Sequence, residues 1–156
     1  METVEILSNK NINLLIQLEQ NARISEPDIW IDDFDADKLK ADTEKALQNP
    51  LFTSARCLMC IDESGQAIGR IDFAIASSFS FGGWSQVYVD WVYVLKEFRH
   101  EGIAQFLFAQ MESYLKEIGI DEYFLLMADN AEAQKFYRSI EGTEIGNHDV
   151  LRKNVK

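Results

Sequence analysis

Hydrophobic positions along the chain recur at two different periods, and the changes of period mark the elements. Val4-Glu5-Ile6-Leu7 reads as a short first strand. Ser8 or Asn9 can cap a helix carrying Ile12, Leu15, Ile16 and Glu19 at helical spacing, which Pro27 interrupts. A second helix is expected over about 36–48, with Leu39, Ala46 and Leu47 inward and Asn49-Pro50 as its stop. Two-residue alternation then takes over. Arg56 to Ile61 and Ala67 to Ala76 flank Asp62-Glu63-Ser64-Gly65, a good hairpin turn. After a glycine-bearing loop at Phe79 to Gly83, Gln86 to Leu95 supplies a long third strand of the same series. Helical spacing returns from Ile103 to Ile118, with Phe106, Leu107, Met111, Tyr114, Leu115 and Ile118 on one stripe and Gly119 as its terminator. Tyr123 to Met127 is a continuous apolar run, the mark of a buried parallel strand. Asp129 or Asn130 can cap a short helix through Ile140, and Val150 to Lys153 is expected to close the sheet.

The order β-α-α-β-β-β-α-β-α-β combines antiparallel hairpins with a β-α-β crossover. It predicts an α+β fold, with a mixed, mostly antiparallel sheet flanked by helices on both faces. With 156 residues and 47% apolar composition, one domain over 1–156 is expected. No apolar run is long enough to span a bilayer, and the acidic start Met1-Glu2-Thr3-Val4-Glu5 lacks the features of a secretory signal. A cytoplasmic location without membrane attachment is the expectation.

Charge narrows the partner. A formal net charge of −11 opposes a nucleic-acid surface, which needs a basic footprint, and is compatible with a cationic small molecule. Between Glu26 and Glu44 eight acids face only Lys38 and Lys40, with Trp30 and Phe34 interleaved. Cys57-Leu58-Met59-Cys60 has a C-x-x-C spacing, but on a strand residues three apart point to opposite faces. The pair is therefore read as two reduced, apolar-like cysteines, and no metal site is expected.

The chemistry concentrates where the long strand ends. Tyr93-Val94-Leu95 gives way to Lys96-Glu97-Phe98-Arg99-His100-Glu101-Gly102-Ile103-Ala104, a basic turn with a glycine that opens directly into a helix. Free amides and the positive end of a helix dipole converge there, as a diphosphate requires. The spacing Arg99-x-x-Gly102-x-Ala104 resembles the acyl-CoA signature of the GNAT superfamily of N-acetyltransferases. Asn130-Ala131, followed by Phe136-Tyr137, resembles that family's second signature. Thr143 stands where the family commonly has an aromatic residue, so the last strands are open to a different placement. The run from Val87 to Arg99, with Asp90 on an otherwise apolar and aromatic strand, looks most like the aminoglycoside 6′-N-acetyltransferase branch.

That resemblance implies acetyl-CoA as cofactor, bound by Arg99, His100, Glu101, Gly102, Ile103 and Ala104, by the backbone of Val92 and Val94, and by Asn130. It implies Tyr137 as proton donor to the departing thiolate and Asp90 as the group receiving the acceptor's ammonium. By alternation Asp90 shares a face with Tyr88, Val92 and Val94; pairing with Arg70 or Arg56 is its bland reading. Trp30, Asp32 and Asp33 are candidates to wall the acceptor pocket. The implied activity is direct transfer of an acetyl group to a primary amine of a small cationic acceptor, an aminoglycoside, aminosugar or polyamine, by a homodimer. The alternatives are a protein or peptide N-acetyltransferase and a non-catalytic acyl-CoA sensor, which would need neither Asp90 nor Tyr137.

Overall fold

The computed structural model describes residues 3–147 and 149–154. Residues up to Leu126 form one compact unit and those from Met127 another. The first unit holds five strands and three helices: β1 (Thr3–Ile6), α1 (Ile12–Ser25), α2 (Ala36–Leu47), β2 (Ala55–Ile61), β3 (Ala67–Ser78), β4 (Trp84–Val94), α3 (Ile103–Glu117) and β5 (Tyr123–Leu125). The second holds α4 (Ala131–Ser139).

The sheet follows chain order, β1-β2-β3-β4-β5, antiparallel throughout except for the parallel pair β4–β5. The Asp62–Gly65 turn forms as the sequence predicts. The Asp62 side chain accepts from the amides of Ser64 and Gln66, each at 2.9 Å, and the sharp reversal sits on Gly65 with φ 84°.

Register shows which helix covers which face. Cys57, Met59 and Ile61 of β2 pack with Leu15, Leu18 and Ala22 of α1. The alternate residues point the other way, toward α3. There the Phe73 ring lies 5.9 Å from Tyr114, and the Arg56 Nε donates to the Tyr114 hydroxyl at 2.9 Å. The opposed cysteines follow from the same alternation: both are buried, on opposite faces. Gly69 permits the close approach of α3. A Cβ there would lie 3.0 Å from the Tyr93 carbonyl oxygen and 3.3 Å from the Ile103 side chain.

Several expectations need correction. Asn11, rather than Ser8 or Asn9, stands at the start of α1, and its side chain accepts from the Ser8 amide at 2.7 Å. The buried stripe of α3 is Ile103, Leu107, Phe108, Met111 and Leu115. Phe106 is only half-buried and Ile118 is exposed, because the helix meets the sheet through its Phe108 side. The parallel strand near 123–127 is three residues long and half-exposed, since it lies at the sheet edge with Phe124 and Leu126 facing outward. Val150 to Lys153 form no strand; they are exposed, with no ladder partner among the described residues. Beyond α4 the Thr143 hydroxyl donates to the Ile140 carbonyl at 2.9 Å, a local turn contact where an aromatic residue would have packed.

Candidate active site

β4 outruns β5, and that difference opens the site. The parallel ladder ends at Val89 opposite Leu125, whereas β4 continues to Val94. Leu95 donates to the Ile68 carbonyl at 2.9 Å, so Gly69–Val94 and Ile71–Val92 are the non-hydrogen-bonded pairs of the β3–β4 ladder. The amides and carbonyls of Val92 and Val94 therefore point away from β3, into the gap. Such a polar edge could hold an extended ligand arm in the manner of an added strand. The Val94 carbonyl already accepts from Arg99 Nε at 3.1 Å.

The turn after β4 presents its backbone. His100 (φ 65°) and Gly102 (φ 86°) both lie in the left-handed region. For His100 this is uncommon, and such strain concentrates at functional turns. Gly102 is the first flanking residue of α3 and carries no side-chain cap; a Cβ there would meet nothing within 4 Å. The first recorded donation into the helix is from Phe106 to the Gly102 carbonyl. Among the described residues, the amides of His100 to Gln105 have no recorded acceptor. Small residues, open space and a row of free donors fit a diphosphate.

Arg99 is placed differently from its expected phosphate contact. Its guanidinium meets Glu26 through two bonds of 2.9 and 2.5 Å. Glu26 is buried, at 7% exposure, and also accepts from the Tyr93 hydroxyl at 2.8 Å. Burial works to raise the Glu26 carboxyl, but the hydrogen bonds from Arg99 and Tyr93 outweigh it and hold it below its ordinary value. Tyr93 responds oppositely, pushed up to about 12 by burial and by the anion beside it.

Asp90 sits at a β-bulge. Asp72 faces Trp91 and Phe73 faces Val89, so Asp90 is the residue of β4 with no counterpart on β3. The bulge resets the alternation expected from sequence. Val92 and Val94 fall on the α3 side with Val89, while Tyr88, Trp91 and Tyr93 face α1. Asp90 therefore does not share a face with Val92 and Val94. It is exposed, and Arg70 and Arg56 are engaged elsewhere: Arg70 with Glu19 at 3.0 Å and Asp72 at 3.4 Å, Arg56 with Tyr114 and the Thr53 and Ala55 carbonyls.

Asp90 lines a cavity of about 1130 Å³ between α2 and the α1-side face of the sheet. Tyr88, Asp72, Arg70, Cys57 and Asp42 line it too, with apolar walls from Leu15, Leu47 and Phe52. Burial raises the Asp72 carboxyl above its ordinary value, and Asp90's charge adds to that push against the opposing charge of Arg70. Among the described residues, one Asp72 oxygen is buried without a hydrogen-bond partner. Asp42 and Asp72 escaped the sequence reading, the first because a charge run does not show which member faces inward. Asp72 escaped because the strand pattern of residues 67–76 does not show that its carboxylate meets a cavity.

The other expected acceptor residues are placed outside this cavity. Asp32 pairs with Arg23 at 2.7 Å, and Arg23 in turn stacks over Trp30 and Phe34 at 4.9 and 4.4 Å. This cluster fills its own hollow with a cation from α1. Asp33 is exposed and lines no part of the cavity. Trp30 packs against Trp91 at 6.0 Å and Tyr93 at 5.4 Å, beside β4.

In the second unit, Asn130 caps α4, its side-chain oxygen accepting from the Ala133 amide at 2.7 Å. Tyr137 is half-buried against the Phe136 ring at 5.4 Å, and burial raises its phenol above the ordinary value. A phenol so placed keeps its proton at neutral pH.

Among the described residues, no helix is long and apolar enough to cross a membrane, and no cluster of His, Cys, Asp and Glu suits a metal ion. No sequence match was found among curated proteins. Among solved structures, the chain is similar to the aminoglycoside acetyltransferase meta-AAC0020 from an uncultured soil metagenomic sample, in complex with sisomicin. Identity is 17% and the TM-score 0.78, over 99% of this chain and 97% of that one. It is also similar to the aminoglycoside 6′-N-acetyltransferase AAC(6′)-Ih from Acinetobacter baumannii (18%, TM-score 0.71, 100% of each chain). A third is the ribosomal-protein-alanine N-acetyltransferase from Brucella melitensis biovar Abortus 2308 (18%, TM-score 0.72, 98% of this chain and 100% of that one). At these identities the likeness shows the shared fold. The acetyltransferase (GNAT) family model matches residues 18–141, a span that holds the turn at Gly102, the bulge at Asp90 and the Phe136-Tyr137 pair. The chain belongs to the acetyltransferase (GNAT) family and is an N-acetyltransferase.

Proposed function

We infer that this enzyme moves an acetyl group from acetyl-CoA to a primary amine of a small cationic acceptor, an aminoglycoside, aminosugar or polyamine, by direct transfer. The observation that carries the reading is the bulge. It turns Asp90 into a roomy cavity with further carboxylates at Asp42 and Asp72, at the level where β4 parts from β5. The similarity of the fold to aminoglycoside acetyltransferases accords with it.

Bound acetyl-CoA would supply an activated thioester, held through its diphosphate by the amides of residues 100–104 and through its arm by the exposed edge of Val92 and Val94. Asp90 receives the ammonium and takes a proton from it, directly or through water, leaving a nucleophilic amine. Nitrogen then bonds to the acetyl carbon as the carbon–sulfur bond breaks. Tyr137, in the role the family resemblance gives it, passes its proton to the departing sulfur and is reprotonated by the second proton that the acylated nitrogen sheds as it becomes a neutral amide, while Asp90 releases its proton to solvent. Arg70 supports the site by holding Asp72 in place from the β3 side. Asp42, whose oxygen also accepts from Lys38 at 2.6 Å, is an exposed carboxylate available to a second cationic group. Cys57 lines the cavity, but burial pushes its thiol well above the ordinary value and disfavours the thiolate that a covalent acyl intermediate needs, so the acetyl group passes directly within a ternary complex. We place the reaction in the cytoplasm, in a homodimer.

A second reading, transfer to a protein or peptide amine, draws on the likeness to the ribosomal-protein-alanine N-acetyltransferase. A thiol-release assay with acetyl-CoA against aminoglycosides, aminosugars, polyamines and short peptides separates the two. The small-cation reading expects turnover that falls as amino groups are removed from the acceptor. Turnover confined to peptides would overturn it.

A further inference from the structure

We propose that Glu26 is a positioning residue of the coenzyme A turn, and that Arg99 serves the turn's backbone instead of the diphosphate. The inference rests on the reading that residues 100–104 bind that diphosphate.

Glu26 is the recorded buried charged side chain of the core, and it lies at the end of α1, 73 residues before Arg99. All three guanidinium nitrogens of Arg99 are engaged. Nη1 and Nη2 meet the two Glu26 oxygens, and Nε donates to the Val94 carbonyl. The Arg99 head also stands 5.6 Å over the Tyr93 ring, whose hydroxyl donates to the same carboxylate. A second tie runs in parallel: Ser25 Oγ donates to Glu97 at 3.0 Å. The end of α1, the last residues of β4 and the turn are thus bolted together through one carboxylate.

Directly after Arg99 come the left-handed residues His100 and Gly102, whose amides belong to the cradle. Their aim depends on where Arg99's backbone is held. For Arg99 to swing onto a phosphate it would have to leave a buried, uncompensated carboxylate behind, which is strongly unfavourable.

The two roles for Arg99 predict opposite signs for one substitution. If Arg99 were a phosphate ligand restrained by Glu26, Glu26→Gln would free it and tighten coenzyme A binding. If Glu26 positions the turn, the same change loosens it. The test is calorimetric titration of coenzyme A into wild type, Glu26→Gln, Arg99→Gln, the double variant and Gly102→Glu, with acetyl-CoA kinetics alongside. The expected result for Glu26→Gln is a dissociation constant raised about tenfold, the scale of one misplaced hydrogen bond to a charged group. KM for acetyl-CoA should rise with it, while kcat at saturation stays within about twofold. The double variant should match Arg99→Gln, because Glu26 acts through Arg99. Unchanged or tighter binding in Glu26→Gln overturns the proposal. If Glu26→Gln fails to fold, the double variant, which leaves no unpaired buried charge, decides against Arg99→Gln: equal affinities support the proposal and a weaker double variant overturns it. Gly102→Glu separates the levels. Loss of binding there with none in Glu26→Gln refutes Glu26's role alone; no loss in Gly102→Glu refutes the turn itself.

Discussion

Substituting Gly102 with alanine and with glutamate separates what the glycine does for the fold from what it does for the cofactor. Its φ of 86° is left-handed, and a side chain there costs about 1–2 kcal/mol in conformation alone. No steric cost is added, since a Cβ would meet nothing within 4 Å. For a chain of this size that corresponds to a fall in melting temperature of roughly 2–8 °C, similar for both variants. Their cofactor affinities should diverge. The alanine methyl projects into open space and carries no charge, so coenzyme A should bind within a few-fold of wild type. The glutamate adds an anion beside the proposed diphosphate site. For charges about 5 Å apart in an effective dielectric between about 20 and 80, each phosphate charge would cost roughly 1–3 kcal/mol, or about 5- to 200-fold in affinity. Thermal unfolding followed by fluorescence, with calorimetric titration of coenzyme A, reads both quantities. Glutamate and alanine variants that bind coenzyme A equally well would refute the placement of the diphosphate on this turn.

Asp90→Asn keeps the shape of the bulge and removes the proton acceptor, so kcat for an amine acceptor should fall by about 10²–10⁴-fold with coenzyme A affinity unchanged; normal turnover would make Asp90 a bystander. Tyr137→Phe preserves the ring packing against Phe136 and removes only the hydroxyl, and kcat should fall roughly tenfold to a thousandfold with acetyl-CoA KM little changed. The pH dependence of stability should report Glu26. Its folded pKa is lowered below the ordinary 4.5, so its contribution is present above pH 4.5 and lost as pH falls through the folded value. The stability gap between wild type and Glu26→Gln in urea titrations should therefore be full at pH 7 and close under acid conditions; a gap constant with pH would contradict the ion pair.

Much of this fold was legible because its devices are local. The Asp62–Gly65 turn, the cap at Asn130 and the glycine opening α3 are each written in a few adjacent residues, and the helical and strand periods fix what lies between them. What escaped depends on distant partners. Nothing near Arg99 in sequence announces Glu26, so a basic residue beside a glycine turn read as a phosphate ligand. The bulge at Asp90 is a one-residue insertion visible only against β3. Strict alternation carried straight through it and put Asp90 on the wrong side with Val92 and Val94. The acidic stretch read as one pocket wall, yet its members divide: Glu26 clamps Arg99, Asp32 pairs with Arg23, Asp35 caps α2, and Asp42 reaches the cavity. The expected closing strand failed because the strand-like composition of Val150 and Leu151 does not by itself supply a ladder partner.

The central claim joins a diphosphate on the Gly102 turn to an amine at Asp90. It is tested most directly by a crystal structure of the enzyme with coenzyme A and sisomicin, a polycation that a similar acetyltransferase holds in its own structure. The account predicts the diphosphate within hydrogen-bond distance of the amides of residues 100–104, the pantetheine arm along Val92 and Val94, and one acceptor amine within hydrogen-bond distance of the Asp90 carboxylate. A diphosphate bound elsewhere, or an acceptor outside the cavity that Asp90 lines, would contradict it.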